Sequence, residues 1–322
     1  MTSLFIEQRR GFAVESVHAI DAVTCDAAGD VRVLAGIDPL TTFRSAAKPF
    51  QLEVAVDLLH ERERSKLSSV DLALGAASHH GERFHLEALT RLLTKLGRRE
   101  SDLLCGVHPP LNQAEAEARL MRGEAPTVLC NNCAGKHAFM ATASEAQGFA
   151  ADYRPAEHPL QRAIQERLVQ RTGHGIAGTV VDGCGVPCFV LKLSAMARAY
   201  AGLARETRVR GPSALSAIGR AMREHAALVS GSEAFDGWLM QHSNLIAKVG
   251  ATGVLCVAVP DHNIGLAIKV STAAESVRPL AVMSILQRYF PGFVSEDVPA
   301  RWKLITNHAG LTVGEYVARF ED

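Results

Sequence analysis

A Ser-x-x-Lys tetrapeptide, running from Ser45 to Lys48, is the first group of residues in this sequence that can do chemistry. At a helix start this spacing puts the hydroxyl and the amine on one face, and a neutral lysine can take the serine proton as the oxygen attacks a carbonyl. Pro49 requires the helix to begin close to Ser45, where unpaired backbone N–H groups can hold an oxyanion. The alternative is an N-cap serine followed by a solvated lysine.

A second polar cluster, Ser78-His79-His80-Gly81, follows the apolar residues 70–77. A strand or buried segment that stops here would deliver polar side chains to one edge of the fold, as a functional site requires. The alternative is a helix N-cap at Ser78, with Glu82 in the following turn. The adjacent histidines do not predict a metal site, because neighbouring side chains diverge.

Residues 130–137, Cys-Asn-Asn-Cys-Ala-Gly-Lys-His, form the most unusual segment of the chain. Thiols, amides, a lysine and a histidine so close together disfavour a helix and add little to a core, which indicates a function. Cys184 and Cys188 supply a second pair of thiols after Cys130 and Cys133. From the residues alone, the two pairs favour a zinc site with four thiolates, and a site without metal stays open.

Lys269 stands in the apolar segment 265–270, which has the composition of a strand. A lysine among buried neighbours loses hydration unless it snorkels, pairs or gives up its proton, and a neutral lysine is a base. The alternative is an edge-strand lysine that discourages aggregation.

Strands at both ends of the chain and helices between them must position these residues. Segments 12–37 and 245–270 each predict a hairpin, and we expect both to share one antiparallel sheet. Helical periodicity covers 46–60, 83–96, 113–121, 157–170, 212–228 and 233–246, and an amphipathic stretch at 276–290 can cover the sheet. The fold class is therefore α/β (α+β), a single catalytic domain 1–322 of two packed lobes. The sheet lobe takes about 1–40 and 173–322, and the helical lobe takes about 41–172.

Composition excludes several classes of protein. The 34 Lys and Arg residues balance the 34 Asp and Glu residues of the 322-residue chain, so it lacks the charge of a nucleic-acid binder. The longest apolar run, 254–259, is far too short to cross a membrane, and the first residues do not have the pattern of a signal peptide. Seven cysteines, an odd number in a long chain, predict a reducing, cytoplasmic location and metal or catalytic use of the thiols.

Five segments taken in order, 43–49, 77–82, 130–137, 182–187 and 265–269, resemble the Rhizobium etli-type L-asparaginases, often called asparaginase II. The asparagine-rich cysteine segment and the Asp-Gly-Cys-Gly-Val-Pro segment are the most specific of these. The resemblance implies a fold similar to serine β-lactamases and glutaminases. It also implies a zinc ion near two Ser-Lys pairs, hydrolysis of L-asparagine to aspartate and ammonia, and a homodimer.

Carried over residue by residue, the resemblance pairs Ser45 with Lys48 and Ser78 with Lys269. The implied zinc ligands are Cys133, Lys136 and Cys184. The implied substrate-binding residues are Arg44, His79, Asn131 and Asp182. The chain departs from the family pattern at Thr252, where an acidic residue is expected, and at 271–272, where Ser-Thr replaces Asp-Gly.

The leading hypothesis is an amidohydrolase in which Lys48 activates Ser45, while Ser78 and Lys269 relay protons. Zinc would position the substrate or support the site, because a serine nucleophile makes a metal-bound hydroxide redundant. One alternative is a penicillin-recognising serine hydrolase, although Lys269 is followed by Val-Ser and not by the Thr-Gly expected there. The other is a non-enzymatic regulatory protein with a closed four-thiolate zinc site.

Overall fold

Residues 2–294 and 297–322 are described by the computed structural model, and the chain divides into two units. Unit 1 consists of Met1–Ala46, Leu191–Arg205 and His242–Asp322. Unit 2 consists of Ala47–Val190 and Glu206–Gln241.

The strands and helices follow the chain in this order. The strands are β1 (Ser3–Arg10), β2 (Ala13–Cys25), β3 (Val31–Ala35), β4 (Leu40–Thr42), β5 (Gly178–Val181), β6 (Pro187–Lys192), β7 (Ile246–Gly250), β8 (Val254–Val259), β9 (Ile264–Val270), β10 (Leu304–Thr306) and β11 (Thr312–Glu321). The α-helices are α1 (Lys48–Asp57), α2 (Glu61–Arg64), α3 (Ser69–Gly75), α4 (Arg83–Leu96), α5 (Gln113–Met121), α6 (Ala134–Ala146), α7 (Pro159–Thr172), α8 (Leu193–Val209), α9 (Ala214–Glu224), α10 (Ala226–Val229), α11 (Phe235–Gln241) and α12 (Arg278–Tyr289).

Unit 1 is built on an antiparallel sheet. Within the described residues its strand order is β10-β11-β1-β2-β9-β8-β7, with β3 paired to β2. The helix α12 packs on β11, β1 and β8. Helix α8 lies so close to β9 that a Cβ at Gly265 would stand 1.9 Å from the Ala197 carbonyl oxygen. The predicted sheet of terminal segments and the predicted covering helix are confirmed.

Unit 2 is a helical unit around α6, which packs on α1, α3, α4 and α7. Helix α3 begins with a capping box between Ser68 and Asp71, and α4 ends at Gly97 in the left-handed region. Helices α3 and α6 approach closely, because a Cβ at Gly135 would lie 2.2 Å from the Leu74 carbonyl oxygen. Only glycine fits at this contact, one residue before Lys136.

A buried ionic cluster fixes α1 within unit 2. The Glu53 carboxylate is buried and accepts hydrogen bonds from Arg167 at 2.5 Å and from Arg171 Nε at 3.2 Å. Arg171 also pairs with Glu206. A buried carboxylate requires such cationic partners, so α1 and its first residue, Lys48, are anchored to α7.

The elements differ from the sequence predictions in several places. Residues 69–75 form the short helix α3 where a strand or buried segment was predicted, because a short apolar run does not distinguish the two. Helices α6 and α8 and the outer strands β1 and β11 were not predicted. Residues 173–190 and 206–241, placed with the sheet lobe by sequence, belong to unit 2. In the described part of the chain, no helix is long and apolar enough to cross a membrane.

Candidate active site

Lys48 is the centre of a hydrogen-bonded cluster in unit 2. It is the first residue of α1, with Pro49 next in the chain, and it is 1% exposed. Its Nζ donates to the Ala77 carbonyl oxygen at 2.6 Å, to Ser78 Oγ at 2.8 Å and to the Asn132 carbonyl oxygen at 3.0 Å. Lysine has three donors, so all of them are used when it is protonated.

Burial lowers the pKa of Lys48, because the charged ammonium loses its hydration. The Cys133 thiolate opposes this shift, and the Lys136 ammonium adds to it. Lys48 therefore loses its proton more readily than a solvated lysine, which suits a general base. The alternative of a solvated lysine behind an N-cap serine is wrong, since Ala47 is the N-cap of α1.

Ser78 is held by the main chain beside Lys48. Its backbone N–H donates to the Val229 carbonyl oxygen at 2.8 Å, and its side chain is buried. The N-cap of α4 is Glu82 and not Ser78, so the alternative role predicted for this serine is also wrong. The hydroxyl is left to interact with Lys48.

Ser45 belongs to unit 1, in the 3-10 helix Arg44–Ala47 that leads into α1. Tyr200 Oη donates to the Ala46 carbonyl oxygen at 2.8 Å and so fixes this turn. Arg44 has a φ of 50°, in the left-handed region that non-glycine residues rarely adopt. Such backbone strain clusters at functional sites, and here it lies directly before Ser45.

Lys269, also in unit 1, lies on β9 opposite Asp21 of β2. Its Nζ donates to the carbonyl oxygens of Val270, at 3.0 Å, and Thr252. Burial lowers its pKa, and the Asp21 carboxylate partly opposes that shift. The sequence paired Ser78 with Lys269, whereas the lysine hydrogen-bonded to Ser78 is Lys48.

The two departures from the family pattern lie around Lys269. Thr252 adopts a φ of 61° in the turn before β8, and its carbonyl group faces Lys269. The Thr272 hydroxyl is 2.6 Å from His18 Nδ1, and Ser271 N–H donates to the Ala19 carbonyl oxygen. These residues are thus part of the hydrogen bonding between β2 and the end of β9.

A further buried lysine, besides Lys48 and Lys136, was not predicted from the sequence. Lys248 of β7 is fully buried, and its Nζ donates to the Val249 carbonyl oxygen at 3.1 Å. Two residues later, a Cβ at Gly250 would stand 3.1 Å from the Phe43 carbonyl oxygen. The edge strand β7 therefore runs beside the segment that leads to Ser45. A lysine within an apolar strand, followed by x-Gly, was the signal for it.

The predicted metal ligands come together in unit 2. Cys133 is the N-cap of α6, Lys136 lies in its first turn, and Lys136 Nζ is 3.2 Å from Cys184 Sγ. The Cys133 and Cys184 thiols are within hydrogen-bonding distance of each other. Two buried thiols and a buried amine that lie together fit a zinc ion, which prefers sulfur and nitrogen ligands.

A tight hairpin turn positions Cys184. The strands β5 and β6 are joined by residues 182–186, and the turn is closed by a bond from Asp182 N–H to the Val186 carbonyl oxygen at 2.9 Å. Gly185 takes a φ of 85°, which glycine allows without strain. Asp182 stays partly exposed, and its carboxylate acts electrostatically on Lys136.

The two thiols differ in acidity. Donation from the Cys184 thiol, together with the charges of Lys48 and Lys136, holds the pKa of Cys133 well below its usual value. The bond to Cys133 and burial raise the pKa of Cys184. Burial lowers the pKa of Lys136, but the Cys184 and Cys133 sulfurs outweigh it and raise that pKa overall. Proton loss is therefore easier at Cys133 than at Cys184.

The four-thiolate alternative is not formed. Within residues 2–294 and 297–322, no group of three or more His, Cys, Asp or Glu side chains could hold a metal ion. All seven cysteines are buried and free of disulfides. Cys130 and Cys188 therefore do not complete a closed site with Cys133 and Cys184.

His79 and Asn131 were predicted to bind substrate. His79 Nδ1 accepts a bond from Gly81 N–H at 3.2 Å, so Nε2 carries the ring proton. That Nε2 is buried and has no partner in the described chain, which leaves a donor available for a ligand. The Asn131 amide bonds to the Cys105 and Gly106 carbonyl oxygens and to Cys133 N–H, so it shapes the loop at the predicted metal ligands.

Sequence reasoning missed His108. Its Nε2 accepts a bond from Asn132 N–H at 3.0 Å, and the Asn132 carbonyl oxygen is one of the three acceptors of Lys48. No spacing or motif signals this residue, because its role depends on the path of the loop between α4 and α5.

The neighbouring ring of His85 gives the molecule a pH-dependent stability. His85 Nε2 donates to the Ala227 carbonyl oxygen at 3.1 Å, and its buried Nδ1 has no partner in the described chain. Burial lowers the pKa of His85 to about 4. In the unfolded chain His85 binds a proton below pH ~6.5, whereas in the folded state it binds one only at lower pH.

We expect the free energy of unfolding to be fully retained above pH ~6.5 and to fall by about 3 kcal/mol as the pH drops through the His85 pKa of about 4. His85→Gln keeps a donor for the Ala227 carbonyl but cannot titrate, so its stability should fall less over that range. Urea unfolding at a series of pH values measures both proteins. Equal losses in the two would contradict the assignment to His85.

Comparison with known proteins identifies the family of the chain. The model of the family L-asparaginase II matches residues 6–318. The chain therefore belongs to the L-asparaginase II family. No curated protein matches the chain.

Among solved structures, the chain is similar to Mglu in two native-form crystals. The identities are 16% and 15%, with 87% of this chain covered in both cases and TM-scores of 0.37 and 0.38. The chain spans 63% and 66% of the length of those two Mglu chains. It is also similar to a protein of Bacteroides dorei DSM 17855 assigned to the beta-lactamases, at 13% identity over 89% of this chain and 94% of that chain, with a TM-score of 0.42.

Proposed function

We propose that this protein is an amidohydrolase that cleaves the side-chain amide of L-asparagine to give L-aspartate and ammonia. The observation that carries the proposal is the buried Lys48 Nζ, 2.8 Å from Ser78 Oγ and surrounded by fixed carbonyl oxygens. Family membership supports an amide substrate. The resemblance in sequence supports asparagine and a homodimer.

In the proposed reaction, Ser45 attacks the amide carbon and neutral Lys48 receives the serine proton. We keep Ser45 as nucleophile because of its Ser-x-x-Lys spacing and the strained backbone at Arg44. Ser78, hydrogen-bonded to Lys48, returns the proton to the departing nitrogen, so that ammonia leaves and an acyl-enzyme remains. Water then cleaves the ester and regenerates the serine. Lys269 is proposed to assist proton transfer.

The negative charge that develops on the carbonyl oxygen of the substrate requires hydrogen-bond donors. Backbone N–H groups at the helix start around Ser45 are proposed to form the oxyanion hole. The buried Nε2–H of His79, the Asp182 carboxylate and Arg44 are proposed to bind the polar groups of the amino acid.

Cys133, Lys136 and Cys184 are proposed to hold a zinc ion, for which Lys136 must give up its proton. When bound, zinc would supply a positive charge that orients the substrate and supports the site. The reacting groups of the chain remain serine and lysine.

Ammonia release from L-asparagine by the purified protein tests the proposed function, with L-glutamine and nitrocefin as parallel substrates. We expect turnover of asparagine and no cleavage of nitrocefin. Nitrocefin hydrolysis without ammonia release would favour the penicillin-recognising alternative. Absence of turnover with any amide, in protein loaded with zinc, would overturn the proposal.

A further inference from the structure

Both ring nitrogens of His108 have hydrogen-bond partners. Its Nδ1 lies 2.5 Å from the Pro109 carbonyl oxygen, and its Nε2 lies 3.0 Å from Asn132 N and 3.3 Å from Asn132 Oδ1. The two shorter contacts are with the main chain. A carbonyl oxygen only accepts and a backbone N–H only donates, so Nδ1 carries the proton and Nε2 accepts. The main chain thus selects one tautomer of this ring.

Asn132 connects His108 to the candidate catalytic base. Its N–H donates to His108, and its carbonyl oxygen accepts from Lys48 Nζ at 3.0 Å. Its side-chain amide oxygen is 3.6 Å from Cys133 Sγ. One residue therefore contacts the histidine, the base and a proposed metal ligand.

The loop that carries His108 is attached on both sides of it. Before His108, the carbonyl oxygens of Cys105 and Gly106 accept from the Asn131 amide at 2.9 and 3.0 Å. After it, Asn112 N–H donates to the His80 carbonyl oxygen at 2.9 Å. His108 is thus placed by both polar segments of the site, which makes its ring a fixed support for Asn132.

We propose that His108 is a positioning residue for the amide hydrolysis proposed above. By accepting a hydrogen bond from Asn132 N–H, His108 keeps the Asn132 carbonyl oxygen within hydrogen-bonding distance of Lys48 Nζ. The carbonyl oxygens of Asn132 and Ala77 together orient the Lys48 amine toward Ser78. The rate of proton transfer depends steeply on the position of the amine, because a displacement of about 1 Å lowers the rate by up to ~10²-fold. The inference rests on the proposed function.

Two conservative variants separate the two bonds of the ring. A glutamine amide oxygen at position 108 can replace the Nε2 acceptor, whereas an asparagine amide can replace only the Nδ1 donor. We expect His108→Asn and His108→Leu to lower kcat for asparagine by roughly 10- to 100-fold with little change in KM. His108→Gln should stay within about threefold of wild type, because the aim of Lys48 is kept.

His158 offers a matched control. Its Nδ1 accepts from Leu160 N–H at 3.2 Å, and its Nε2 donates to the Ala150 carbonyl oxygen at 3.0 Å, at the start of α7. It makes the same kinds of bond as His108 but has none with Asn132 or Lys48. His158→Leu should lower the melting temperature and leave kcat within about threefold.

The outcomes divide as follows. Loss of kcat in the Asn and Leu variants, with the Gln variant active, supports the inference even where the Leu variant folds poorly. Unchanged kcat in His108→Asn overturns it and leaves the proposed function standing. Parallel losses in the His108 and His158 variants would reveal a purely structural role. If the wild type cleaves no amide, the proposed function fails, and a crystal structure of His108→Asn tests the positioning role by itself. Lys48 Nζ in the same position as in wild type overturns the positioning role. Displacement of Lys48 Nζ from Ser78 Oγ supports the positioning role.

Discussion

Replacing Lys48 by methionine is expected to lower kcat for asparagine hydrolysis by roughly 10³-fold or more, with the fold intact. Methionine matches the length and apolar stem of the buried lysine but has no amine to take the serine proton. Without it, Ser78 also loses its partner at 2.8 Å. Ammonia release under saturating asparagine measures kcat, and thermal melting confirms that the variant is folded.

Lys66→Met is the control for the loss of one cationic side chain, because Lys66 is exposed and belongs to the turn before α3. Its kcat should equal that of wild type. A Lys48→Met variant that retains more than a tenth of wild-type kcat would exclude Lys48 as the base.

The two serines can be told apart in the same assay. Ser45→Ala should lose as much activity as Lys48→Met, and the double variant should be no worse than either, because nucleophile and base act as one unit. Ser78→Ala should slow formation of the acyl-enzyme, because the departing nitrogen loses its proton relay, but it keeps the nucleophile and should therefore keep more activity than Ser45→Ala. If Ser45→Ala instead keeps activity within tenfold of wild type, the nucleophile is Ser78.

Several helices were predictable because their burial is periodic, and the sheet was predictable because apolar, Val- and Ile-rich runs flank turn residues. Helix α4 has a buried stripe and an exposed face, and its predicted range, 83–96, is that of the structure. Helix α6 is buried from Ala134 to Ser144, so it shows no period and was not predicted. The short helix α3 is equally apolar and was interpreted as a strand or buried segment.

The candidate site was predictable as a list of residues and not as a set of bonds. Sequence spacing joined Lys48 to the serine three residues before it, whereas the bond observed reaches Ser78, 30 residues away. Such a contact is set by the packing of α1 on α3 and α6, which no local pattern encodes. His108 was missed for a related reason, because both of its partners are main-chain groups that any residue could supply.

Zinc content should depend on two of the seven cysteines. We expect about one zinc per chain in wild type, and its loss in Cys133→Ala and Cys184→Ala. These two thiols and Lys136 meet between the start of α6 and the turn after β5, so removal of either sulfur leaves too few ligands. Elemental analysis of the purified proteins, with thiol titration, measures the metal and the free cysteines.

Cys188→Ala and Cys130→Ala are the matched controls, because both thiols are buried in the same two segments as the ligands. Both variants should keep the metal, since the described residues contain no cluster of three or more cysteine, histidine or acidic ligands. Lys136→Met should bind zinc more weakly than wild type but retain both sulfur ligands. Equal loss of zinc in all four cysteine variants would favour the closed four-thiolate site. If the wild-type protein stays free of zinc after the metal is added back, zinc has no part in the proposed function. The Lys48 and Ser45 variants would then still test the serine and lysine chemistry.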